Sequence, residues 1–235
     1  MFAITPNILS KFLNFCSKYI FILSIILFGV SAILIILLEN DYYQGISFKI
    51  MFVHVPTAWL SLLIFLTMGV SSIIGLIFKS PTSFTISRAL SPIGLIMSII
   101  VLITGSIWGN LTWGTYWVWD ARLTSMLILA FIYLGHILLL NSFDHFQKSD
   151  FAASILAIIG LVNLPIVKFS VDWWTTLHQG ASVFKVGGPS MTNDYLITLL
   201  LCFAALFSLC FYWFSNIFYI ITENRRIERF KLLNQ

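Results

Sequence analysis

Residues 19–38 read YIFILSIILFGVSAILIILL, a run in which no side chain carries a charge. A helix of about 20 residues is about 30 Å long and matches the hydrocarbon thickness of a bilayer. The run is longer than the apolar core of a secretory signal peptide, and no small-x-small cleavage site follows it. We therefore expect these residues to form a membrane-spanning helix that stays in the protein as an anchor.

The composition of the whole chain indicates the same class of protein. Of its 235 residues, 59% are hydrophobic and only 9% are charged, whereas soluble domains carry about 25% charged residues. The abundance of Leu, Ile and Phe excludes a disordered chain. The three cysteines form no C-x-x-C pair, which argues against a disulfide framework, a zinc site or thiol redox chemistry. A polytopic membrane protein remains.

Five further segments are long and apolar enough to cross a membrane. No alternating strand pattern of a barrel appears, and backbone polar groups in lipid require helices. We predict an all-α integral membrane protein with six transmembrane helices, folded as a single domain over residues 1–235. The predicted spans cover residues 19–38, 53–78, 89–111, 123–143, 151–170 and 195–222.

The distribution of Lys and Arg predicts the orientation of these helices. With both termini in the cytoplasm, nine of the 13 basic residues lie on the cytoplasmic side, as the positive-inside rule requires. The net charge of +4 then reflects membrane topology, and no basic stripe interleaved with aromatics indicates nucleic acid. Three loops are predicted to face outward, near residues 39–49, 109–122 and 168–194.

The second of these loops contains the sequence WGTYWVWDAR at residues 113–122. One interpretation is an aromatic belt at the membrane surface, although four aromatic residues within seven positions exceed what anchoring needs. If the segment is helical, Trp119 points away from a shared face. That face would carry Trp113, Tyr116, Trp117 and Asp120. Such a face is a platform on which a large planar ligand can stack.

Two of the four histidines fall on the same predicted side as this loop. His54 precedes Pro56, a residue that suits the first turn of a helix, so we place His54 just before the second helix. His178 lies in the long third loop. For each, a hydrogen-bonded structural role is the alternative to a ligand role. Two neutral imidazoles suit iron, copper or zinc but are too few for structural zinc. With a broad aromatic surface they suit haem, whose iron takes an axial ligand on each face.

The propionates of a haem would bind basic residues near the membrane surface. The candidates are Arg122, Lys168, Lys185 and Lys49, and for each of them ordinary interfacial snorkelling is the alternative. The other two histidines receive structural interpretations. We expect His136 to bond a neighbouring helix and His145 to be a solvated loop residue.

The Trp-Gly-x-x-Trp-x-Trp-Asp core of residues 113–120 resembles the tryptophan-rich motif of the haem-handling membrane protein superfamily. Within that superfamily the chain is most similar to the cytochrome c maturation protein C family, over nearly its whole length. His54 with Pro56, the tryptophan-rich motif, and the stretch from Trp173 to Gly180 occur in the family's order. One departure is Tyr116, where family members commonly have Trp.

The resemblance implies that haem b is held at the outer face as transient cargo, with His54 and His178 as axial ligands. It implies that a tryptophan-rich surface cradles the haem edge and meets a haem chaperone, protein E of the maturation system, which takes the haem covalently through its own histidine. This surface comprises Trp113, Trp117, Trp119 and Asp120. We add Tyr116 and Arg122, from the same segment, to the predicted haem-binding residues.

The resemblance also implies partners and a location. The partners are the small single-span protein D and the ATP-binding cassette subunits A and B, besides membrane lipid. The location is a bacterial or mitochondrial inner membrane, with the haem site facing the periplasm or the intermembrane space. The chain would be a delivery component and not an enzyme.

Three alternatives stay open on the sequence. A cytochrome b-like electron-transfer subunit would need histidine pairs inside the spans, where only His136 lies. A cytochrome c haem lyase relative would usually be longer and richer in histidine. In a purely structural scaffold, His54 and His178 would have no ligand role.

Overall fold

The computed structural model describes residues 6–180, 182–185 and 187–233. Within these residues every long element is helical, and a single isolated bridge joins Asp41 to Gly45. A short 3₁₀ helix, Ile46–Ile50, leads directly into the second α-helix. The α-helices are α1 (Pro6–Leu37), α2 (Met51–Phe78), α3 (Pro81–Trp113), α4 (Ala121–Asn141), α5 (Phe146–Gly160), α6 (Asn163–Trp173) and α7 (Asn193–Leu233).

Six helical segments are long and apolar enough to cross a membrane, with α5 and α6 counting together as one. This confirms the prediction of an all-α protein with six such segments. The helices extend well past the predicted spans, and α1 begins at Pro6 and α7 ends at Leu233. The sequence prediction marked only uncharged runs, whereas a helix can continue through charged residues once it has left the hydrocarbon. The predicted second and third loops are therefore shortened by the end of α3 and by α6.

The fifth predicted span, residues 151–170, is not one helix but two. Between α5 and α6, the N–H groups of Leu161 and Val162 bond to carbonyls three residues back, which tightens the chain into a 3₁₀-like turn. Pro165 follows in the first turn of α6 and has no N–H with which to continue an α-helix across the break. Asn163 secures the junction, because its side-chain amide donates to the buried Ser125 carbonyl at 2.9 Å.

Helix α1 packs on α7 through a serine at every seventh position. Ser10, Ser17, Ser24 and Ser31 are all buried, while most of the large side chains of α1 are exposed. The first three hydroxyls donate to carbonyls of their own helix, at 3.1, 2.7 and 2.7 Å, so they offer no free donor to lipid. Small residues at a heptad spacing let two helices approach closely in a left-handed crossing.

Polar contacts join α2 to α3 along their whole length. Ser72 bonds Ser87 at 3.0 Å near one end, and Ser61 bonds Ser98 at 2.7 Å near the middle. Helix α4 joins the pair through buried side chains. The Tyr133 hydroxyl donates to the Ser61 carbonyl at 2.7 Å, and Gly94 leaves room for the Tyr133 ring, because a Cβ there would overlap it. These three helices form the frame of the site described below.

The opposite end of the bundle is tied together by a buried acid. Asp150 of α5 accepts from Arg88 of α3 at 2.9 Å and from Arg225 of α7 at 2.7 Å, and its side chain is 3% exposed. The Phe146 ring lies beneath both guanidinium groups, at 4.6 and 4.5 Å. One carboxylate therefore neutralises part of the charge of two buried cations and joins three helices.

Replacing Asp150 by Ala is expected to lower the free energy of unfolding by about 3–5 kcal/mol, because two guanidinium groups then remain buried without their acid. The matched control is Glu223→Ala, which removes a partly exposed carboxylate 3.5 Å from the exposed Arg226 and should cost at most about 1 kcal/mol. Equilibrium unfolding of both variants in lipid bicelles measures the difference. Equal losses in the two variants would contradict this account of the cluster.

Candidate functional site

A cavity opens at the end of the bundle where α3 ends and α4 begins. The empty space inside its lining, counted together with the open solvent at its mouth, is about 1080 Å³. Its walls come from α2, α3, α4 and α6 and from the segments that follow α3 and α6. Most of the lining is apolar, with Leu62, Leu102 and Met126 among its residues, and its polar side chains include His54, His178 and Arg122.

His54 lies in the wall of this cavity, in the first turn of α2. The prediction that it precedes the helix is wrong. The 3₁₀ helix Ile46–Ile50 supplies the preceding turn, so α2 starts at Met51 and Pro56 lies inside it. The ring is consequently held by a helix and not by a loop, and the residue is only 9% exposed.

His178 lines the same cavity but comes from a distant part of the chain. It lies in the segment after α6, is partly buried, and its ring centroid is 6.5 Å from that of His54, with 35° between the ring planes. Burial, and secondarily the positive charge of Arg122, lowers the pKa of His178, which keeps its imidazole neutral near pH 7. The structure thus brings together the two histidines that the sequence analysis selected.

Each of these histidines uses Nδ1 for a hydrogen bond. Nδ1 of His54 lies 3.0 Å from the Thr104 hydroxyl, and Nδ1 of His178 lies 2.8 Å from the Gln179 carbonyl. A carbonyl only accepts, so Nδ1 of His178 carries the proton. Among the described residues no group bonds to Nε2 of either ring. Both rings therefore have one nitrogen with a free lone pair, the form in which imidazole binds metals.

The tryptophan-rich segment lines the cavity as a loop. Helix α3 ends at Trp113 because Gly114 adopts a left-handed conformation, with φ of 74°, which glycine reaches without strain. The face that residues 113–120 would share if they were helical therefore does not form. Trp113, Tyr116 and Trp117 nevertheless line the cavity, and the Trp113 ring centroid lies 6.5 Å from that of His178.

The other two residues of the motif lie outside the cavity lining. Trp119 is 77% exposed and packs edge-on against Trp117, with centroids 5.4 Å apart. Asp120 caps α4, and its Oδ1 accepts from the Leu123 N–H at 2.8 Å. The second carboxylate oxygen of Asp120 and Nε1 of Trp117 are buried, and neither has a hydrogen-bond partner in the described part of the chain.

Of the four basic candidates, Arg122 alone belongs to the cavity lining. Its Nη1 donates to the Val167 carbonyl at 2.9 Å, which fixes the guanidinium beside α6. The Nζ of Lys49 lies 3.5 Å from the Ile36 carbonyl. Lys168 and Lys185 are also absent from the lining.

The remaining histidines behave as the sequence analysis expected. His136 is buried in α4, and its two ring nitrogens lie 3.0 Å from the Ser91 hydroxyl and 3.3 Å from the Ser87 hydroxyl of α3. His145 is largely exposed, with Nδ1 3.5 Å from Glu228. His136 has no free nitrogen for a metal, because both are occupied by serine hydroxyls.

The structure adds residues that the sequence analysis did not assign to the site. Gln44, from the loop after α1, accepts from Nε1 of Trp108 at 2.9 Å, and both line the cavity. The Trp108 ring stands edge-on to His54 at 5.8 Å. Trp108 lies just upstream of the tryptophan-rich segment, and this nearness along the sequence was the signal that could have found it. No local pattern links residue 44 to residue 108.

Several known proteins are similar to this chain over most of its length. A family model described as CcmC, heme exporter protein C, matches residues 2–231. The heme exporter protein C of Bradyrhizobium diazoefficiens is 45% identical over 188 residues, which is 80% of this chain and 71% of the relative. That of Haemophilus influenzae is 41% identical over 198 residues, or 84% of this chain and 80% of the relative. A putative cytochrome c biosynthesis ccmC-like mitochondrial protein of Marchantia polymorpha is 45% identical over 188 residues, which is 80% of this chain and 77% of the relative.

The family model covers nearly the whole chain, and the tryptophan-rich loop, His54 and His178 lie within the matched residues 2–231. The chain belongs to the heme exporter protein C family.

Proposed function

We propose that this chain binds haem between His54 and His178 and presents it to a haem chaperone for cytochrome c maturation. The observation that carries the proposal is the distance of 6.5 Å between the two ring centroids. A metal about 2 Å from one nitrogen of each ring holds the centroids roughly 6 Å apart. With Nδ1 engaged in both rings, the two Nε2 atoms are the free ligands that a six-coordinate haem iron needs.

The cavity suits the rest of a haem. Its lining is mostly apolar and includes several aromatic side chains, which suits the uncharged edge of a porphyrin ring. At the mouth, the guanidinium of Arg122 is suited to a propionate. The buried, unpartnered Nε1 of Trp117 is a second donor for a carboxylate oxygen. The chain has no C-x-x-C pair, so we propose that it holds haem b without a covalent bond.

The division of roles within the tryptophan-rich segment follows from exposure. Trp113, Tyr116 and Trp117 line the cavity and would contact the macrocycle. Trp119 is exposed beside the mouth, where a partner's surface can bury it. Asp120 caps α4 and so anchors the loop that carries these aromatic residues. We therefore propose that Trp119 contacts the haem chaperone, protein E, and that the covalent bond to haem forms on the chaperone and not on this chain.

The setting of this activity follows from the family and the predicted topology. We propose that the tryptophan-rich end faces the periplasm of a bacterium or the intermembrane space of a mitochondrion, with both termini on the cytoplasmic or matrix side. The relatives include bacterial and mitochondrial proteins. Protein D and the ATP-binding cassette subunits A and B are the proposed further partners. An electron-transfer role through stacked haems finds no support, because His136 is bonded on both nitrogens.

Replacing His54 or His178 by Ala is expected to remove an axial ligand and lower haem retention by about 100-fold or more. The low-spin absorption spectrum and the haemochrome content of the purified full chain measure this loss. His145→Ala is the matched control, because His145 is exposed and lies beside Glu228. Low-spin haem in the double variant of His54 and His178, at the wild-type amount, would contradict the proposal.

Replacing Trp119 by Ala is expected to leave haem content within about twofold of wild type while slowing transfer to the chaperone about tenfold or more, as for an interfacial Trp. Tyr43→Ala provides a control, since Tyr43 is comparably exposed but lies in the loop after α1. Single-turnover transfer from haem-loaded protein to purified chaperone measures the rate. A Trp119 variant that loses haem as completely as the histidine variants would show that the division of roles is wrong.

A further inference from the structure

Two consecutive residues of α3, Thr104 and Gly105, lie against the His54 ring. The Thr104 hydroxyl is 3.0 Å from Nδ1 of His54 and 2.7 Å from the Ile100 carbonyl of its own helix. A hydroxyl has one hydrogen to donate, and a carbonyl can only accept. The hydroxyl therefore donates to Ile100 and accepts from Nδ1 of His54. This pairing assigns the proton of the neutral His54 ring to Nδ1 and leaves the lone pair on Nε2.

Gly105 supplies the space in which this ring lies. A Cβ at position 105 would stand 2.9 Å from Cε1 of His54, closer than packed carbon atoms approach. Any other residue would push the ring away from its position against α3. Glycine inside a helix costs about 1 kcal/mol relative to Ala, so the helix itself gains nothing from glycine at this position. The gain lies in the close approach of the imidazole.

We propose that Thr104 and Gly105 are positioning residues of the haem site. Thr104 holds His54 in the tautomer that leaves the lone pair on Nε2, and Gly105 allows the ring to lie against α3, with its centroid 6.5 Å from that of His178. This inference rests on the proposed function, since it assigns both residues to the same site. Partners of this kind orient a ligating imidazole and raise its basicity. Nδ1 of His178 donates to the backbone carbonyl of Gln179, a partner that a substitution does not remove. Thr104 is therefore the partner whose effect a substitution can test.

Thr104→Val keeps the shape of the side chain and removes the acceptor. We expect it to weaken haem retention by about 10- to 100-fold and to make the reduction potential of the bound haem more positive, because a less electron-rich imidazole stabilises ferric iron less. Thr104→Ser restores the hydroxyl and should return both quantities to near the wild-type values. Thr67→Val is the matched control, because the Thr67 hydroxyl bonds only the Leu63 carbonyl of its own helix, at 2.8 Å.

Gly105→Ala tests, independently of the Thr104 variants, whether the space beside the His54 ring is needed. Alanine favours the helix by up to about 1 kcal/mol, so a loss of haem cannot be attributed to a weaker helix. We expect a loss of about tenfold or more and a smaller low-spin fraction in the bound haem. Gly29→Ala in α1 is the control, because a Cβ at that position meets nothing within 4 Å. Thermal unfolding of each variant shows whether it is folded. If Thr104→Val does not fold, the comparison of Gly105→Ala with Gly29→Ala tests the proposal on its own.

The outcomes separate this inference from the proposed function. If the wild type holds low-spin haem that the His54 and His178 double variant lacks, the function stands. If Thr104→Val and Gly105→Ala then match the wild type in retention and potential, the positioning roles are wrong. If the double variant holds as much haem as the wild type, the proposed function fails and the positioning roles fail with it.

Discussion

The architecture depends on a row of hydrogen bonds between α2 and α3. Hydrocarbon offers no water to a polar group, so each hydroxyl or imidazole placed between these helices must find its partner within the protein. Ser72 with Ser87, Ser61 with Ser98, and His54 with Thr104 meet this requirement at 3.0, 2.7 and 3.0 Å. Cross-helix bonds of this type contribute about 0.6 kcal/mol each on average. Their larger effect is to fix the register of two long helices.

The row also sets the position of α4 and of the cavity. His136 of α4 bonds Ser87 and Ser91, and Tyr133 bonds the Ser61 carbonyl. With α4 fixed, Asp120 begins that helix at a defined place and anchors the loop that carries the tryptophans. The last member of the row, His54, then forms the helical wall of the cavity. Another part of the wall is different in kind, since His178 and residues 115–118 lie in loops. A site with one wall of packed helices and one of loops is suited to a cargo that must be received and released.

The six membrane-spanning segments were predictable because uncharged runs of about 20 residues are a local signal. The break after Gly160 was missed although Pro165 marks it, because the hydrophobic run continues through the break. The placement of His54 was wrong for a related reason. Pro56 was interpreted as part of the first turn of the helix. The 3₁₀ helix Ile46–Ile50 instead runs directly into α2, so that α2 already begins at Met51.

The candidate site was predictable only in part. The two histidines and the tryptophan-rich loop could be selected from residue type and order, and the family resemblance supported them. The loop's conformation depended on Gly114, whose positive φ stops α3 at Trp113. Thr104, Gly105 and Gln44 carry no local signal, because their roles arise from contacts between distant segments. Such contacts exist only once the helices have packed.

The central claim is that two imidazoles of this chain bind one haem iron. Pulsed EPR of the haem-loaded full chain, prepared with ¹⁵N-labelled histidine, tests it directly because hyperfine coupling identifies the axial nitrogens. The account predicts two strongly coupled histidine nitrogens, bonded directly to the iron, in the wild type, and one in His54→Ala and in His178→Ala. A wild-type spectrum with only one such iron-bonded histidine nitrogen, or with none, would contradict it.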